Sequence, residues 1–331
     1  MKFSVIIPVK EVNGYVLESH RCLKEQTYKD FEVIVYPDSD AGVRLEGVRI
    51  IATGAIGPAE KRDLAIKHAT GDVLAFLDDD AYPRRDWLEN ALGYFRDETV
   101  AAVGGPAVTP PGDTAMQKAS GAVFSSYLAS SSYVYRYVPG RAREVDDFPT
   151  VNFLVRKGVF ERLGGFDTAY WPGEDTKLCL DITKKLGLKI IYAPDVLVYH
   201  HRRPLFKEHL RQVARYAYQR WCFAKLFPQT SLRFSYFVPT LFLFFLVAVP
   251  MAAFFSTFVK FAYAAVVSVY GAALLLASLQ ATYASASVIV GAMTAPGIFA
   301  THLVYGFNFI MGFALGHRGA RAGLTVGGDT V

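Results

Sequence analysis

Two stretches without a single Asp, Glu, Lys or Arg limit what the carboxy-terminal part of this 331-residue chain can become. One lies between Arg233 and Lys260, the other between Lys260 and Arg318. A soluble helix keeps a charged or polar face toward water, and a membrane span takes roughly 20 consecutive, mostly apolar residues. The first stretch fits one span. The second fits two, with Gln280, Thr282, Ser285 and Ser287 at the turn. The 52% hydrophobic content is therefore unevenly spread, and about three transmembrane helices are predicted over 233–316, followed by a tail over 317–331.

Arg202, Arg203, Lys207, Arg211, Arg215, Arg220 and Lys225 crowd the stretch before the first span, interleaved with Phe206, Tyr216, Tyr218, Trp221 and Phe223. Beside a span, lipid headgroups are the nearest anions, so 201–232 reads as basic, aromatic interfacial helices and not as a nucleic-acid surface. The net charge of +5 adds little. The amino-terminal apolar run, Val5 to Val9, is short, contains Pro8, and no small-residue cleavage site follows it. The expectation is a multi-pass cell-membrane protein whose soluble part stays on the cytoplasmic side. Three scattered cysteines, Cys22, Cys179 and Cys222, suit a reducing compartment. Three spans would put Arg318 and Arg321 outside, against the positive-inside tendency, unless a kink at Pro296-Gly297 returns the tail. Gly271, Gly291, Gly306 and Gly312 offer close helix packing or self-association, so a homo-oligomer is an open expectation.

Before Arg202 the pattern is different. Apolar runs Phe3–Pro8, Phe31–Tyr36, Val48–Ala52, Asp72–Leu77, Val100–Val103 and Asn152–Val155 read as strands, as do 189–192 and 196–199. Helical patterns fall at 14–26, 59–69, 86–95, 157–163 and 175–186. Strands that are near-continuous apolar runs, alternating with helices, predict an α/β domain over 1–200 with a mainly parallel mixed sheet. From Pro106 to Thr150 the pattern weakens into irregular sequence. In such sheets ligands bind outside the carboxyl ends of strands, which puts Asp38 and the triplet Asp78-Asp79-Asp80 on one rim. No GxGxxG follows the first strand, which argues against a dinucleotide oxidoreductase.

Adjacent carboxylates repel unless a cation neutralises them. Oxygen-rich sites suit Mg²⁺ or Mn²⁺, which bind one or two carboxylates together with substrate phosphates. A solvated loop or helix cap accounts for most isolated acidic triplets, but this one is delivered by a buried strand.

In order, SVIIPVK, QTYKDFEVIVYPDSD and GPAEKRDLAIKHATGDVLAFLDDD, then GGFD (164–167), GED (173–175) and QVARY (212–216) make the chain resemble the family 2 inverting glycosyltransferases of GT-A fold over about its first 225 residues. The resemblance implies a nucleotide-sugar donor. Pro8 would stand beside the nucleotide pocket, Asp38 against base or ribose, and Arg62 near the nucleotide. Asp80 would ligate the metal, Mn²⁺ or Mg²⁺, with Asp78 or Asp79 on the ribose or a metal-bound water. His200 or His201 would add a metal or diphosphate contact. Asp175 would be the general base, with Glu174 beside it. Gln212, Arg215 and Tyr216 would line the acceptor channel and touch the diphosphate. Helix-start capping explains Glu174 and Asp175 as well when the resemblance is set aside. Two departures from the family pattern, Pro37 before Asp38 and Lys61-Arg62-Asp63 for an ARN-like triplet, leave the nucleobase open.

An inverting transfer is one displacement at the anomeric carbon, needing a carboxylate base and a neutralised leaving diphosphate. With spans in the same chain, the expected acceptor is a hydroxyl of a lipid-linked saccharide or glycolipid, as in polysaccharide or cell-envelope glycan synthesis. Transfer to a polyprenyl phosphate, or a non-catalytic membrane scaffold or transport component, are the alternatives.

Overall fold

The computed structural model describes residues 1–170 and 173–323. They divide into two compact units, one of Met1–Val108 with Tyr135–His201, the other of Thr109–Val134 with the residues from Arg202 onward.

The first unit is built on strands β1 (Phe3–Pro8), β2 (Phe31–Tyr36), β3 (Val48–Ile50), β4 (Val73–Leu77), β5 (Ala81–Pro83), β6 (Val100–Gly104), β7 (Ala107–Val108), β8 (Arg143–Val145), β9 (Asn152–Arg156), β10 (Lys189–Tyr192) and β11 (Val198–His200). Eight form one sheet in the order β3-β2-β1-β4-β9-β6-β10-β8, and β5-β11-β7 form a second. The pairs β3–β2, β2–β1, β1–β4 and β6–β10 are parallel, whereas β9 runs antiparallel to β4 and β6 and β8 antiparallel to β10. All six residues of β1 and all five of β4 are buried, as expected of strands covered on both faces.

The helices of this unit are α1 (Gly14–Lys24), α2 (Pro58–Asp63), α3 (Ala65–His68) and α4 (Trp87–Tyr94), then, later in the chain, α7 (Lys157–Leu163) and α8 (Glu174–Leu180). The helix expected over 59–69 breaks at Leu64, and the one expected over 175–186 passes into a π-turn over Asp181–Lys185. Trp87, fully buried, donates its indole N–H to Asn152 Oδ1 at 2.9 Å, and Asn152 Nδ2 donates to the Val196 carbonyl at 2.7 Å.

The second unit is helical: α5 (Ala115–Ser125), α6 (Tyr127–Ser130), α9 (Lys207–Leu226), α10 (Pro228–Ser231), α11 (Val238–Ala253), α12 (Thr257–Ser285) and α13 (Val288–Gly323). Helix α5 lies in the stretch expected to be irregular. Its small residues blur the periodicity, but Thr114 and Gln117 form a capping box at its start. Helix α12 and the segment Val288–Leu315 of α13 are long and apolar enough to cross a membrane by length and composition; α11, equally apolar, has 16 residues. Helix α13 continues through Pro296 without ending. Residues 324–331 of the expected tail lie outside the described residues. His209 on α9 is fully buried, bonded to Ser120 Oγ at 2.8 Å and Thr301 Oγ1 at 3.0 Å. Of the four glycines singled out for helix contact, Gly291, Gly306 and Gly312 face Thr282, Pro239 and Tyr218 within this unit, closely enough that a Cβ would clash. Gly271 has nothing near it.

Asn152→Ala strands the Trp87 N–H and the Val196 carbonyl in the core. An unpaired buried group costs about 1–3 kcal/mol, so the variant is expected to lose about 2–5 kcal/mol, measured by denaturant unfolding followed through tryptophan fluorescence.

Candidate active site

Strand β4 ends at Leu77, and the next three residues diverge to three different partners. Asp78 Oδ1 accepts from Arg62 Nη2 at 2.6 Å. Asp79 Oδ2 accepts from Asn13 Nδ2 at 3.1 Å. Asp80 Oδ1 lies 3.0 Å from His200 Nε2. The last contact follows from the small sheet, since β5 begins at Ala81 and the antiparallel register pairs Ala81 with His200. Asp78, Asp80 and His200 each offer one ligand atom, all within 4.8 Å of one another. Two carboxylates and an imidazole make a donor set that fits Mn²⁺ or Mg²⁺, the imidazole suiting Mn²⁺ better.

His201 goes elsewhere. Its Nε2 meets Glu18 Oε2 at 2.9 Å and its ring stacks on Tyr15 at 4.5 Å, while its backbone N–H donates to the Asp80 carbonyl. Asn13 serves a helix and a carboxylate at once. Its Oδ1 caps α1 by accepting from the Tyr15 and Val16 amides, and its Nδ2 holds Asp79. Asn13, Tyr15 and Glu18 also line an open cavity of about 500 Å³ beside α1. Sequence reasoning passed over these three, although Asn13 before a helical pattern is an N-cap signal.

Burial, together with the Asp80 and Asp78 charges, raises the Asp79 carboxyl to about 6 despite the Asn13 bond. The middle aspartate thus holds a proton more readily than an ordinary aspartate does.

Arg62, 5% exposed, spans two carboxylates: besides Asp78, its Nη1 lies 3.6 Å from Glu174 Oε1. Glu174 is buried and also accepts from the Gly173 amide at 2.8 Å. Asp175, the next residue, is half-buried and accepts from the Thr176 amide at 2.7 Å. Lys61, buried beside Arg62 on α2, donates to Asp38 Oδ1 and, at 2.5 Å, to the Val9 carbonyl just past Pro8. Within the first unit the structure therefore brings Asp78, Asp80 and His200 together and links them through Arg62 to the Glu174-Asp175 helix start. Gln212, Arg215 and Tyr216 lie on α9 in the second unit, where the Gln212 amide donates to the Tyr216 hydroxyl at 2.8 Å.

Residues 4–164 match the family model described as "Glycosyl transferase family 2". That match takes in just under half of the chain. It is 31% identical over 162 residues to the pre-mycofactocin glycosyltransferase of Mycobacterium tuberculosis, covering 48% of this chain and 33% of that protein. It is 29% identical over 230 residues to glycosyltransferase AglE of Haloferax volcanii, covering 64% of this chain and 70% of that protein. The chain thus spans about a third of the mycobacterial relative. In fold it is similar to the mannosyltransferase PcManGT from Pyrobaculum calidifontis, solved with GDP-Man and Mn²⁺, with a TM-score of 0.53, 20% identity and coverage of 93% of this chain and 87% of that one. The GT-A-like α/β architecture expected from the sequence is what the first unit has.

Asp63 completes the α2 end of this domain. It accepts the Phe166 amide at 2.8 Å, and a Cβ at Gly165 would lie 2.5 Å from its Oδ1. Burial raises its carboxyl to about 7, the nearby Glu174 adding to the effect. A folded-state value above the unfolded one, about 3.9, means that the folded protein binds the extra proton. Stability therefore falls as pH rises from about 4 to 7 and levels off above. Asp63→Asn is expected to flatten this slope, read as thermal midpoint against pH for both proteins.

Proposed function

We propose that this protein is an inverting glycosyltransferase that moves a sugar from a nucleotide-sugar to a hydroxyl of a lipid-linked saccharide or glycolipid at a membrane. The observation that carries the reading is the Arg62 bridge. It ties Asp78, part of a cation-binding trio, to the helix start that presents Asp175, so phosphate-binding and proton-accepting groups stand on one framework. The family match supports glycosyl transfer, and the lengths of α12 and α13 support a membrane setting.

The roles follow from the surroundings of each group. Glu174 is engaged by Arg62 and its own loop amide, and the proton-accepting role is assigned to Asp175, the next residue of the same helix start. As the acceptor's O–H proton moves to Asp175, the acceptor oxygen bonds to the anomeric carbon from the face opposite the diphosphate. The carbon–diphosphate bond breaks, and its electron pair leaves with the nucleoside diphosphate. Asp78, Asp80 and His200 would hold a Mn²⁺ or Mg²⁺ ion, which would supply positive charge against that leaving group. Asn13 and Arg62 keep Asp79 and Asp78 at fixed positions around the trio. A hydroxyl acceptor needs the base that Asp175 provides, whereas a polyprenyl phosphate is already ionised and does not.

Asp175→Asn is expected to lower kcat by about 10²–10⁴-fold with the donor KM little changed, in an assay of nucleoside diphosphate release from a nucleotide-sugar panel with lipid extract and Mn²⁺ or Mg²⁺. Full activity in that variant would remove the base assignment and point to a phosphate acceptor. Asp80→Ala is expected to abolish the metal dependence of donor binding, measured by calorimetry with and without the cation.

A further inference from the structure

Two buried tethers hold the start of α8, and Asp175 lies between them. On one side Arg62 stands 3.6 Å from Glu174. On the other, Thr176, 3% exposed, donates its hydroxyl to Asp147 Oδ1 at 2.9 Å. A carboxylate only accepts, so the hydroxyl proton is committed to this bond. The same Thr176 gives its backbone N–H to Asp175 Oδ1 at 2.7 Å. One residue thus holds the Asp175 carboxylate with its main chain and is itself held through its side chain.

Asp147 can anchor Thr176 because it is fixed in its turn. It is 4% exposed, and its Oδ2 accepts from Arg136 Nη2 at 3.3 Å, while its carbonyl accepts from the same nitrogen. The next residue, Phe148, is buried beside Tyr135 and Tyr192. Its ring lies so close over Gly104, the end of β6, that a Cβ there would come within 2.3 Å. Cys179 Sγ donates to the Phe148 carbonyl at 3.7 Å. Residues three apart share a helix face, so residues 147–148 hold one face of α8 at two points, Thr176 and Cys179. Glu174 is turned roughly 160° from Thr176, at 3.6 residues per turn, and meets Arg62 there.

A base that takes a proton in the transition state must be held closely, since a misplacement of about 1 Å can lower a rate about 100-fold. The Asp147 and Thr176 side chains are buried and engaged with each other, so their effect on the reaction runs through Asp175. We propose that Asp147, acting through Thr176, is a positioning residue that sets the direction of the Asp175 carboxylate toward the acceptor's hydroxyl. This rests on the assignment of Asp175 as the base.

The test is a double-mutant cycle on the full chain in detergent. It reads nucleoside diphosphate release from UDP-, GDP-, dTDP- and CDP-linked sugars with lipid extract and Mn²⁺. Thr176→Val keeps the side-chain shape and loses the hydroxyl; it is expected to lower kcat by about 10–100-fold with the donor KM unchanged. Thr176→Ser, which keeps the hydroxyl, is expected to restore the rate. Added to Asp175→Asn, Thr176→Val is expected to lower kcat no further, because residues that act as a unit are not additive. A hydroxyl that only supported the fold would lower the thermal midpoint and leave kcat per folded molecule unchanged. Full kcat in Thr176→Val, or the same factor of loss with and without Asp175→Asn, overturns the proposal. Thr176→Ala carries the same expectations and takes its place if Thr176→Val does not fold. Full activity in Asp175→Asn is a separate result, which removes the base assignment itself.

Discussion

The Arg62 guanidinium is the contact on which the rest of the site depends. It is buried, 2.6 Å from Asp78 and 3.6 Å from Glu174. Removing one partner from a buried ion pair costs about 3–5 kcal/mol, because the remaining charge is left in a poor dielectric. Here the loss would fall on two carboxylates from separate elements, the end of β4 and the start of α8. Glu174 also accepts from Gly173, whose backbone sits at φ +133. Arg62 therefore helps set the loop conformation that precedes Asp175.

The three aspartates are chemically unequal for the same kind of reason. Each is held by a different element: Asp78 by α2, Asp79 by the cap of α1, Asp80 by β11. A single strand end thus distributes three adjacent carboxylates among a guanidinium, an amide and an imidazole. Asp79, held by the Asn13 amide, is the carboxyl that burial and its Asp80 and Asp78 neighbours raise. The imidazole reaches Asp80 because sheet pairing, rather than sequence proximity, places His200 opposite Ala81.

Much of this could be read before the structure. The strands at Phe3–Pro8, Phe31–Tyr36 and Lys189–Tyr192 have the residue bounds their mostly apolar runs suggest, since nearly all their buried positions are apolar. Asp38 and the aspartate triplet fall at strand ends for the same reason. Less legible were contacts made across long separations. Nothing in Glu18 or His201 alone indicates that they bond, and Lys61 stood out only as a departure from a family pattern. His200, the last residue of β11, faces Asp80, whereas His201, just past the strand end, turns to Glu18 and Tyr15. Helix α5 was missed because Ala, Ser and Gly carry too little contrast to show a helical period.

The helical unit differs from a water-soluble bundle in its apolar exterior and in the polar groups it buries among apolar ones. Its interior keeps His209, Ser120, Thr240, Thr294 and Thr301 buried, several of them bonded to one another or to helix carbonyls. Its exterior carries Phe258 at 81% and Tyr283 at 92% exposure, with Phe254, Val269, Ile289 and Phe313 also outside. In water so much exposed apolar surface would drive association. In hydrocarbon the balance reverses: apolar side chains gain nothing by turning inward, while hydroxyl and imidazole groups gain from pairing away from lipid. Burial in α12 points the same way, because a soluble core helix would be mostly enclosed, yet only 6% of the apolar window of α12 is buried. The membrane setting proposed for the acceptor thus draws on which residues the helices hide, in addition to their length.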